Sequence, residues 1–549
     1  MASAKLSYPR RKLDNSGQNN LGIAGSASVV PVFRVLFGNE SQGVDMAPFK
    51  PSLSSIQEPS SRIGRRDFLR FAVSGTALLA APALCGSFAP AWAAKDQART
   101  AIPVAGGSAE ICTSGDPASY TPSSTDRAGM FLLFSDVHFD PFADPGTVKA
   151  LAAAPASAWG AILAGAGPTY SPYGQDSNNV LFQSFLDDMA SRAPRPDFLL
   201  FPGDLLCHRF WTKYPQLTGD SSREGLLTFI GKTAEYFLTE VTRRFPEAPL
   251  YLALGNNDSF EGDYRIVPNS PYLTVTASII AQRALKNEAD RAPFLESYPG
   301  YGCYSLPLPG SGNARIIVFN NIFWTKNYPN QGAGRPVLDY LDQQLTAAGR
   351  KGESVWLMSH VPPGDNSKAS AAKFLKKGKD HYFPLLADTW SDALANLLVT
   401  HSRTVKASFC GHVHRDEFRL VYPKGRDLPA ASIRLGPSIS PITGNNPGYQ
   451  VYFYDRQSFE LLDTAVHYLD IGSPRPGWDV EYRYSQAYGR GLRSPRDWQE
   501  MYRELKTCPA RRKTFEEAFD LRSAHVDEVN SRTFQIFWDA LGLSAASAI

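Results

Sequence analysis

Residues 130–138 read MFLLFSDVH, an apolar run that leads directly into Asp136 and His138. A short continuous apolar run of this kind predicts a strand buried on both faces, as in a largely parallel sheet. In open α/β sheets, ligands bind beyond the carboxyl ends of the strands, and Asp136 and His138 fall at such an end. The stretch therefore predicts an α/β fold with a functional site at a strand end.

Four further segments repeat this arrangement of an apolar run followed by a side chain that can bind a metal ion. They are Phe198–Phe201 before Asp204, Leu250–Ala253 before Asn256, Val355–Met358 before His360, and Ala407–Cys410 before His412 and His414. Two divalent ions a few ångströms apart need one shared carboxylate as a bridge and imidazole or amide ligands on either side. The seven side chains provide such a set, which predicts a two-metal hydrolytic centre.

The chain resembles the calcineurin-like metallophosphoesterases, and among them the acid-sphingomyelinase-like phosphodiesterase branch. The resemblance runs from about residue 130 to about residue 454 and extends beyond the metal motifs. It is carried by SHVPPG at 359–364, GHVHRDEF at 411–418, GPSISP at 436–441 and NPGY at 446–449, in that order. The resemblance implies a four-layer sandwich of two mixed β-sheets flanked by helices.

The resemblance also implies a role for each ligand. In the family pattern Asp136, His138 and His414 hold one ion, Asn256, His360 and His412 hold the other, and Asp204 bridges them. The implied reaction is in-line attack on phosphorus by a metal-bridging hydroxide. These ligand types fit zinc best, with iron or manganese as alternatives.

One position departs from the family pattern. The commonest motif, Gly-Asn-His-Asp/Glu, has a His that is thought to act as a general acid, and this chain has Asn257 there. His208 lies four residues after Asp204, an offset at which the sphingomyelinase branch also carries a His. We therefore expect His208 to protonate the leaving group and Asn257 to orient a phosphoryl oxygen.

The N-terminal region predicts export. GRRDFLR at 64–70 is a twin-arginine pattern, and the 24 residues from Phe71 to Ala94 carry no charge. We interpret 64–93 as a Tat signal peptide that is removed, and we expect no stable transmembrane anchor. Residues 1–63 form an extension without predicted structure, and 94–127 form a linker or strap.

Charge and cysteine content limit the function classes. The first 93 residues hold 10 Lys and Arg and 5 Asp and Glu, out of 56 and 53 in the chain, so the remainder has a net charge of −2. A near-neutral mature protein gives no electrostatic reason to expect nucleic-acid binding. Five widely spaced cysteines after cleavage do not predict a disulfide framework.

The remaining segments suggest the domain organisation. We assign 128–470 to the catalytic domain and 471–549 to a helical C-terminal subdomain, because residues 495–505, 514–519 and 531–541 have helical apolar spacing. The long segments between motifs, 160–179, 259–301 and 363–382, are predicted to surround the site as loops or lids.

The sequence thus predicts a periplasmic or secreted phosphodiesterase that resembles acid sphingomyelinase. It would meet the Tat machinery during export and act on a small-molecule or lipid phosphoester. Two alternatives stay open. One is a phosphomonoesterase or polyphosphate-cleaving enzyme on the same fold. The other is an exported protein that binds a metal or ligand and has lost catalysis, an alternative raised by Asn257.

Overall fold

Two mixed β-sheets form the framework of the part of the chain that the computed structural model describes, namely residues 127–165, 167–328, 331–378, 382–526 and 529–545. These residues belong to one compact unit, Ala105–Ile549. The predicted extension (1–63), the signal peptide (64–93) and all of the linker except Arg127 lie outside the described residues.

The strands are β1 Ala128–Leu133, β2 Phe198–Phe201, β3 Leu250–Leu252, β4 Tyr304–Pro307, β5 Ala314–Val318, β6 Ser354–Met358, β7 Val405–Cys410, β8 Glu417–Tyr422, β9 Ala431–Leu435, β10 Gly448–Asp455, β11 Leu461–Leu469, β12 Trp478–Arg483 and β13 Gly542–Ser544. The first sheet has the order β12-β11-β10-β1-β2-β3, and the second has the order β13-β8-β9-β7-β6-β5-β4. All five strands predicted from apolar runs are therefore present, as β1, β2, β3, β6 and β7.

Both sheets have a parallel centre. In the first sheet, β1 pairs parallel with β2, and β2 with β3, whereas β10 pairs antiparallel with β1. In the second sheet, β5, β6, β7 and β9 pair parallel in that order. Parallel strands covered on both faces read as continuous apolar runs, and every residue of β2 is buried.

Aromatic side chains join the inner faces of the two sheets. The ring of Phe131 in β1 lies 4.9 Å from that of Trp356 in β6 and 5.6 Å from that of Phe409 in β7. Trp356 also contacts Tyr454 of β10, with 5.3 Å between ring centroids. Because these large side chains are buried, the sheets are held face to face with their parallel strand ends at the same edge.

Helices cover the outer faces. They are α1 Val148–Ala153, α2 Trp159–Leu163, α3 Asn179–Arg192, α4 Phe210–Thr218, α5 Arg223–Arg244, α6 Pro271–Arg283, α7 Arg291–Tyr301, α8 Gly334–Lys351, α9 Ser367–Lys377, α10 Asp388–Thr400, α11 Tyr484–Tyr488, α12 Pro495–Thr507, α13 Pro509–Phe519 and α14 Phe534–Leu541. The predicted sandwich of two mixed sheets flanked by helices is confirmed. Among the described residues, none of these helices has the length and apolar character needed to span a membrane.

The C-terminal region contains the expected helices, which are α12, α13 and α14. It also adds an edge strand to each sheet. β12 pairs with β11 in the first sheet, and β13 pairs with β8 in the second. The sequence analysis missed both strands, since β12 carries two exposed residues and β13 is only three residues long, so neither forms a continuous apolar run.

All three segments that were predicted as loops contain helical residues. Residues 160–179 include most of α2, residues 259–301 include α6 and α7, and residues 363–382 include α9. The signal for α6 was present, since Ser270 caps the helix by accepting the backbone N–H of Leu273 and Pro271 follows at the first helical position. The expectation that these segments are loops was therefore wrong in part.

Candidate metal centre

The seven predicted ligands follow the ends of β1, β2 and β3 in the first sheet and of β6 and β7 in the second. Backbone hydrogen bonds join the loops that carry them. The N–H of Asp136 donates to the carbonyl of Gly203 (3.0 Å), the N–H of His138 to that of Asp204 (2.9 Å), and the N–H of Gly411 to that of His360 (2.9 Å). The ligand loops therefore form one connected unit.

Four of the ligands form a buried cluster around one point: Asp136, His138, Asp204 and His414. His138 Nε2 lies 3.1 Å from His414 Nε2 and 3.4 Å from Asp204 Oδ2. His414 Nε2 lies 3.3 Å from Asp136 Oδ1. Imidazole nitrogens and carboxylate oxygens thus lie close enough together to bind one metal ion in common.

The other three ligands meet around the side-chain oxygen of Asn256. Asn256 Oδ1 lies 3.1 Å from His360 Nε2 and 2.9 Å from His412 Nδ1. His360 Nε2 is also 3.3 Å from Asp204 Oδ2, the same oxygen that lies 3.4 Å from His138 Nε2. Asp204 therefore lies between the two groups, where a bridging carboxylate would be needed.

Atoms that can act as acceptors face one another in the centre. His138 Nδ1 donates to the carbonyl of Leu206 (3.1 Å) and His360 Nδ1 to that of Pro202 (3.0 Å), so each Nε2 faces inward and is an acceptor when its ring is neutral. Both Nε2 atoms point at the Asp204 carboxylate. Because such an arrangement is repulsive unless a cation lies within it, the residues fit a site for metal ions.

The pKa values of the ligand side chains also agree with a site for metal ions. Burial opposes the charge of Asp136, but His414 and His360 outweigh it and lower the pKa of Asp136 to about 2. Burial and the neighbouring His208 lower the pKa of His138 to about 4. Burial also disfavours the charged form of His360, but Asp204 and Asp136 raise its pKa to about 9. The carboxylates are thus ionised and His138 is neutral. Without an ion, His360 Nε2 holds a proton that faces Asp204, and a bound ion would displace this proton so that Nε2 becomes an acceptor.

Backbone strain is concentrated at the ligands. Five of the seven have positive φ, an uncommon conformation for residues other than glycine: Asp136 (49°), His138 (44°), Asp204 (61°), His412 (73°) and His414 (60°). Such residues cost on the order of 1–3 kcal/mol each and persist where the surrounding structure enforces them. Strain on this scale at one place is typical of a functional site.

Two glycines allow the loops to approach each other closely. A Cβ at Gly255 would lie 2.0 Å from Asp204 Oδ1, and a Cβ at Gly411 would lie 2.5 Å from Asp136 Oδ2. Any larger residue at either position would displace a predicted ligand. The glycines that precede Asn256 and His412 are therefore required for the geometry of the centre.

Asp258 organises two ligand loops, although it was quoted in a motif and given no role. Its Oδ2 accepts the backbone N–H groups of Asp204 (2.8 Å) and Gly255 (2.9 Å), and its Oδ1 accepts those of Leu205 and Leu206. Burial and the negative charge of Asp204 raise the pKa of Asp258 to about 6. Asp258 thus fixes the backbone on both sides of the bridging position.

His208 lies beside the cluster and is paired with a buried carboxylate that the sequence analysis missed. Its ring stacks on that of His138 with 4.2 Å between centroids, and its Nδ1 lies 2.8 Å from Asp176 Oδ1. The backbone N–H of His208 also donates to Asp176 Oδ2 (3.0 Å). Asp176 could not have been found by spacing, because it precedes His208 by 32 residues.

Asn257 is buried against the bridging position. Its backbone N–H donates to Asp204 Oδ1 (2.8 Å), and its Nδ2 donates to Asp204 Oδ2 (3.1 Å). Its Oδ1 is buried without a hydrogen-bond partner among the described residues. Asn257 therefore holds the Asp204 carboxylate in place, a contact that the sequence analysis did not predict.

The chain is similar in sequence to one protein family and to several curated proteins. A family model described as calcineurin-like phosphoesterase matches residues 129–416, which is just over half of the chain. Acid sphingomyelinase-like phosphodiesterase 3b of Homo sapiens is 27% identical over 379 residues, covering 66% of this chain and 76% of that protein. Sphingomyelinase phosphodiesterase C of Dictyostelium discoideum is 25% identical over 403 residues, covering 70% and 83%.

One further curated protein and one solved structure are similar to this chain. The cyclic GMP-AMP phosphodiesterase of Rattus norvegicus is 24% identical over 418 residues, covering 73% of this chain and 86% of that protein. A solved structure of a dimetal phosphatase from Danio rerio, 13% identical, covers 62% of this chain and 96% of that one, with a TM-score of 0.34. On the match of the family model and the curated relatives, the chain belongs to the metal-dependent calcineurin-like phosphoesterases, in their acid-sphingomyelinase-like branch.

Proposed function

We propose that this protein is an exported phosphodiesterase that hydrolyses a phosphoester with the help of two divalent ions. The observation that carries the proposal is the buried centre in which His138 Nε2 and His360 Nε2 lie 3.4 Å and 3.3 Å from the Asp204 carboxylate, with each Nδ1 bound to a backbone carbonyl. Several curated relatives are named as phosphodiesterases or sphingomyelinases, which supports a diester as the substrate.

In the proposed centre, Asp136, His138 and His414 hold one ion, Asn256, His360 and His412 hold the other, and Asp204 bridges them. The distances around Asp204 Oδ2 and Asn256 Oδ1 support this division. The donor set is nitrogen and oxygen, which suits zinc and also suits iron or manganese. When bound, two such ions supply charge neutralisation at the phosphoryl oxygens and a water that loses its proton near neutral pH.

His208 is the proposed proton donor to the leaving oxygen. Its Nδ1–H donates to Asp176, which leaves Nε2 directed elsewhere, and 39% of the side chain is exposed, so a substrate can reach it. Burial opposes the charged form, but the hydrogen bond and negative charge of Asp176 outweigh it and raise the pKa of His208. A raised pKa favours the protonated ring, which is the form that a general acid needs.

Lys213 fixes the carboxylate behind His208. Its Nζ lies 3.4 Å from Asp176 Oδ2 and 2.8 Å from Asp140 Oδ2. His208 and Lys213 lower the pKa of Asp176 to about 2 against the effect of burial, together with His138. Asp176 thus stays ionised and holds the His208 ring in one orientation.

Asn257 is proposed to bind a phosphoryl oxygen. One hydrogen of its Nδ2 is used by Asp204 Oδ2, and the second can donate to substrate. An amide has no titrating proton, so Asn257 orients and His208 protonates. This division of roles explains how the centre can work without the His of the common motif.

The substrate class is tested by comparing bis-p-nitrophenyl phosphate with p-nitrophenyl phosphate. The mature protein (residues 94–549), loaded with Zn²⁺, is expected to turn over the diester faster than the monoester and to lose both activities after chelation. Preference for the monoester would replace the phosphodiesterase proposal with a phosphatase. Equal turnover before and after chelation would contradict a metal-dependent reaction.

Export by the Tat pathway is part of the proposal. It is supported by the twin-arginine pattern at Gly64–Arg70 and by the uncharged stretch from Phe71 to Ala94 that follows it. Changing Arg65 and Arg66 together to Lys is expected to retain the protein in the cytoplasm of a Tat-competent bacterial host. Cell fractionation measures this, and an unchanged periplasmic fraction would count against Tat export.

A further inference from the structure

A short turn after the ligand Asn256 contacts two of the proposed ligands from behind. Asn256 Oδ1 faces His360 and His412, and its Nδ2 donates to Asp263 Oδ1 at 2.7 Å. The Asn256 amide could exchange its oxygen and nitrogen by a half-turn flip. The Asp263 carboxylate can only accept a hydrogen bond, so it pairs with the amide nitrogen and not with the oxygen. Asp263 therefore keeps the oxygen of Asn256 directed into the centre.

The next residue, Tyr264, contacts His412 in the same way. Its hydroxyl oxygen lies 3.3 Å from His412 Nε2, and the rings meet edge to face at 6.1 Å. In the proposed centre Nδ1, which lies 2.9 Å from Asn256 Oδ1, is the ligand atom, so Nε2 would carry the hydrogen and donate to the Tyr264 oxygen. An acceptor at Nε2 favours the tautomer in which Nδ1 presents its lone pair to the ion.

The backbone of the turn is held in a fixed shape. The N–H of Tyr264 donates to the carbonyl of Asn256 (2.9 Å), and Tyr264 has a positive φ of 56°. Ser259 Oγ accepts the N–H groups of Glu261 (3.0 Å) and Gly262 (3.1 Å). Gly262, with φ of 116°, lies against the ring of Trp211. The turn is thus supported on both sides, so it can position Asn256 and His412 rather than follow them.

We propose that Asp263 and Tyr264 are positioning residues that set the affinity of the ion held by Asn256, His360 and His412, separately from the affinity of the ion held by Asp136, His138 and His414. This inference rests on the proposed two-ion centre. The separation follows from the contacts, because the hydrogen bonds of the Asp263 and Tyr264 side chains reach Asn256 and His412, both on the same side of Asp204.

The expected effect has a physical basis. A carboxylate that accepts from the amide nitrogen draws the amide toward its charge-separated form, which makes the carbonyl oxygen a better ligand. Loss of such an outer contact typically weakens metal affinity by about 10- to 100-fold. Asp263→Ala removes both the charge and the hydrogen bond. Asp263→Asn removes the charge but can keep a hydrogen bond, so it should fall between Ala and the parent protein.

Calorimetric titration of the metal-free mature protein with Mn²⁺ tests the inference without measuring catalysis. The parent protein is expected to show two binding events. Asp263→Ala and Tyr264→Phe should each weaken one event by about 10- to 100-fold and leave the other within about threefold. The matched control is Asp388→Asn, at a carboxylate whose side chain is 75% exposed, and it should leave both events unchanged.

The titration distinguishes a failure of the positioning role of Asp263 and Tyr264 from a failure of the two-ion centre. Two unchanged events in the Asp263 and Tyr264 variants would overturn the positioning role while leaving the two-ion centre intact. Equal weakening of both events would also overturn it, because a general structural defect would then explain the loss. A parent protein that binds fewer than two ions would overturn the two-ion centre itself. Partial recovery of the weakened event in Asp263→Glu would support the positioning role.

Discussion

Replacing Asp204 with Asn is expected to lower kcat/KM for bis-p-nitrophenyl phosphate by about 10³-fold or more, because losses of this size follow removal of a group that organises transition-state charge. Asp204 Oδ2 lies within 3.4 Å of His138 Nε2 and 3.3 Å of His360 Nε2. An amide at this position carries no negative charge, and whichever way it is turned only one of its two atoms can act as a ligand. The variant should therefore lose ions as well as turnover.

The Asp204 prediction needs a control for folding. Asp204 also accepts the backbone N–H and the side-chain Nδ2 of Asn257, so the substitution could disturb the loop. Thermal unfolding and far-UV circular dichroism of the metal-free variant should match those of the metal-free parent protein, with Asp388→Asn as the control of equal charge change. A folded Asp204→Asn variant that keeps turnover within about tenfold of the parent would contradict the bridging role.

Replacing His208 with Ala is expected to produce a loss that depends on the leaving group. General-acid catalysis contributes typically about 10²- to 10⁴-fold, and it matters most when the leaving oxygen is a poor alkoxide. Diesters with alkyl leaving groups should therefore slow by that factor. Bis-p-nitrophenyl phosphate, whose phenolate needs no proton, should slow by less than about tenfold. The measurement is kcat/KM over a series of diesters that differ only in leaving-group pKa.

The same series of diesters distinguishes the loss of proton donation by His208 from a loss of its packing against His138. His208 stacks on His138, so its loss could disturb the centre and slow every substrate alike. Equal losses for alkyl and aryl diesters would therefore remove His208 from the role of acid. His401→Ala is the matched control, because His401 pairs with Asp342 at the end of α10 and should leave the whole series unchanged.

The central strands could be predicted because strands buried on both faces consist of consecutive apolar residues. β2 and β6 are covered on both faces, so FLLF at 198–201 and VWLM at 355–358 read as unbroken apolar runs. Edge strands carry no such signal. β12 has two exposed residues, and what makes it a strand is its pairing with β11, a tertiary contact that the local pattern does not contain.

The candidate ligands could be chosen because each lies next to a predicted strand end and has a metal-binding side chain. The residues that position these ligands could not be identified from the sequence. Asp176 lies 32 residues before His208, and Asp263 contacts Asn256 only because the chain turns back at Gly262. Their function depends on distances between loops, which are set by the fold. Asp258 was visible in its motif, but its four backbone hydrogen bonds were not.

The central claim is that this chain holds two metal ions on either side of Asp204, and an anomalous-difference map tests it most directly. Crystals of the mature protein grown with Mn²⁺ should show two peaks. One peak should lie among Asp136, His138 and His414, the other among Asn256, His360 and His412, with Asp204 contacting both. A single peak, or peaks outside this centre, would contradict the account.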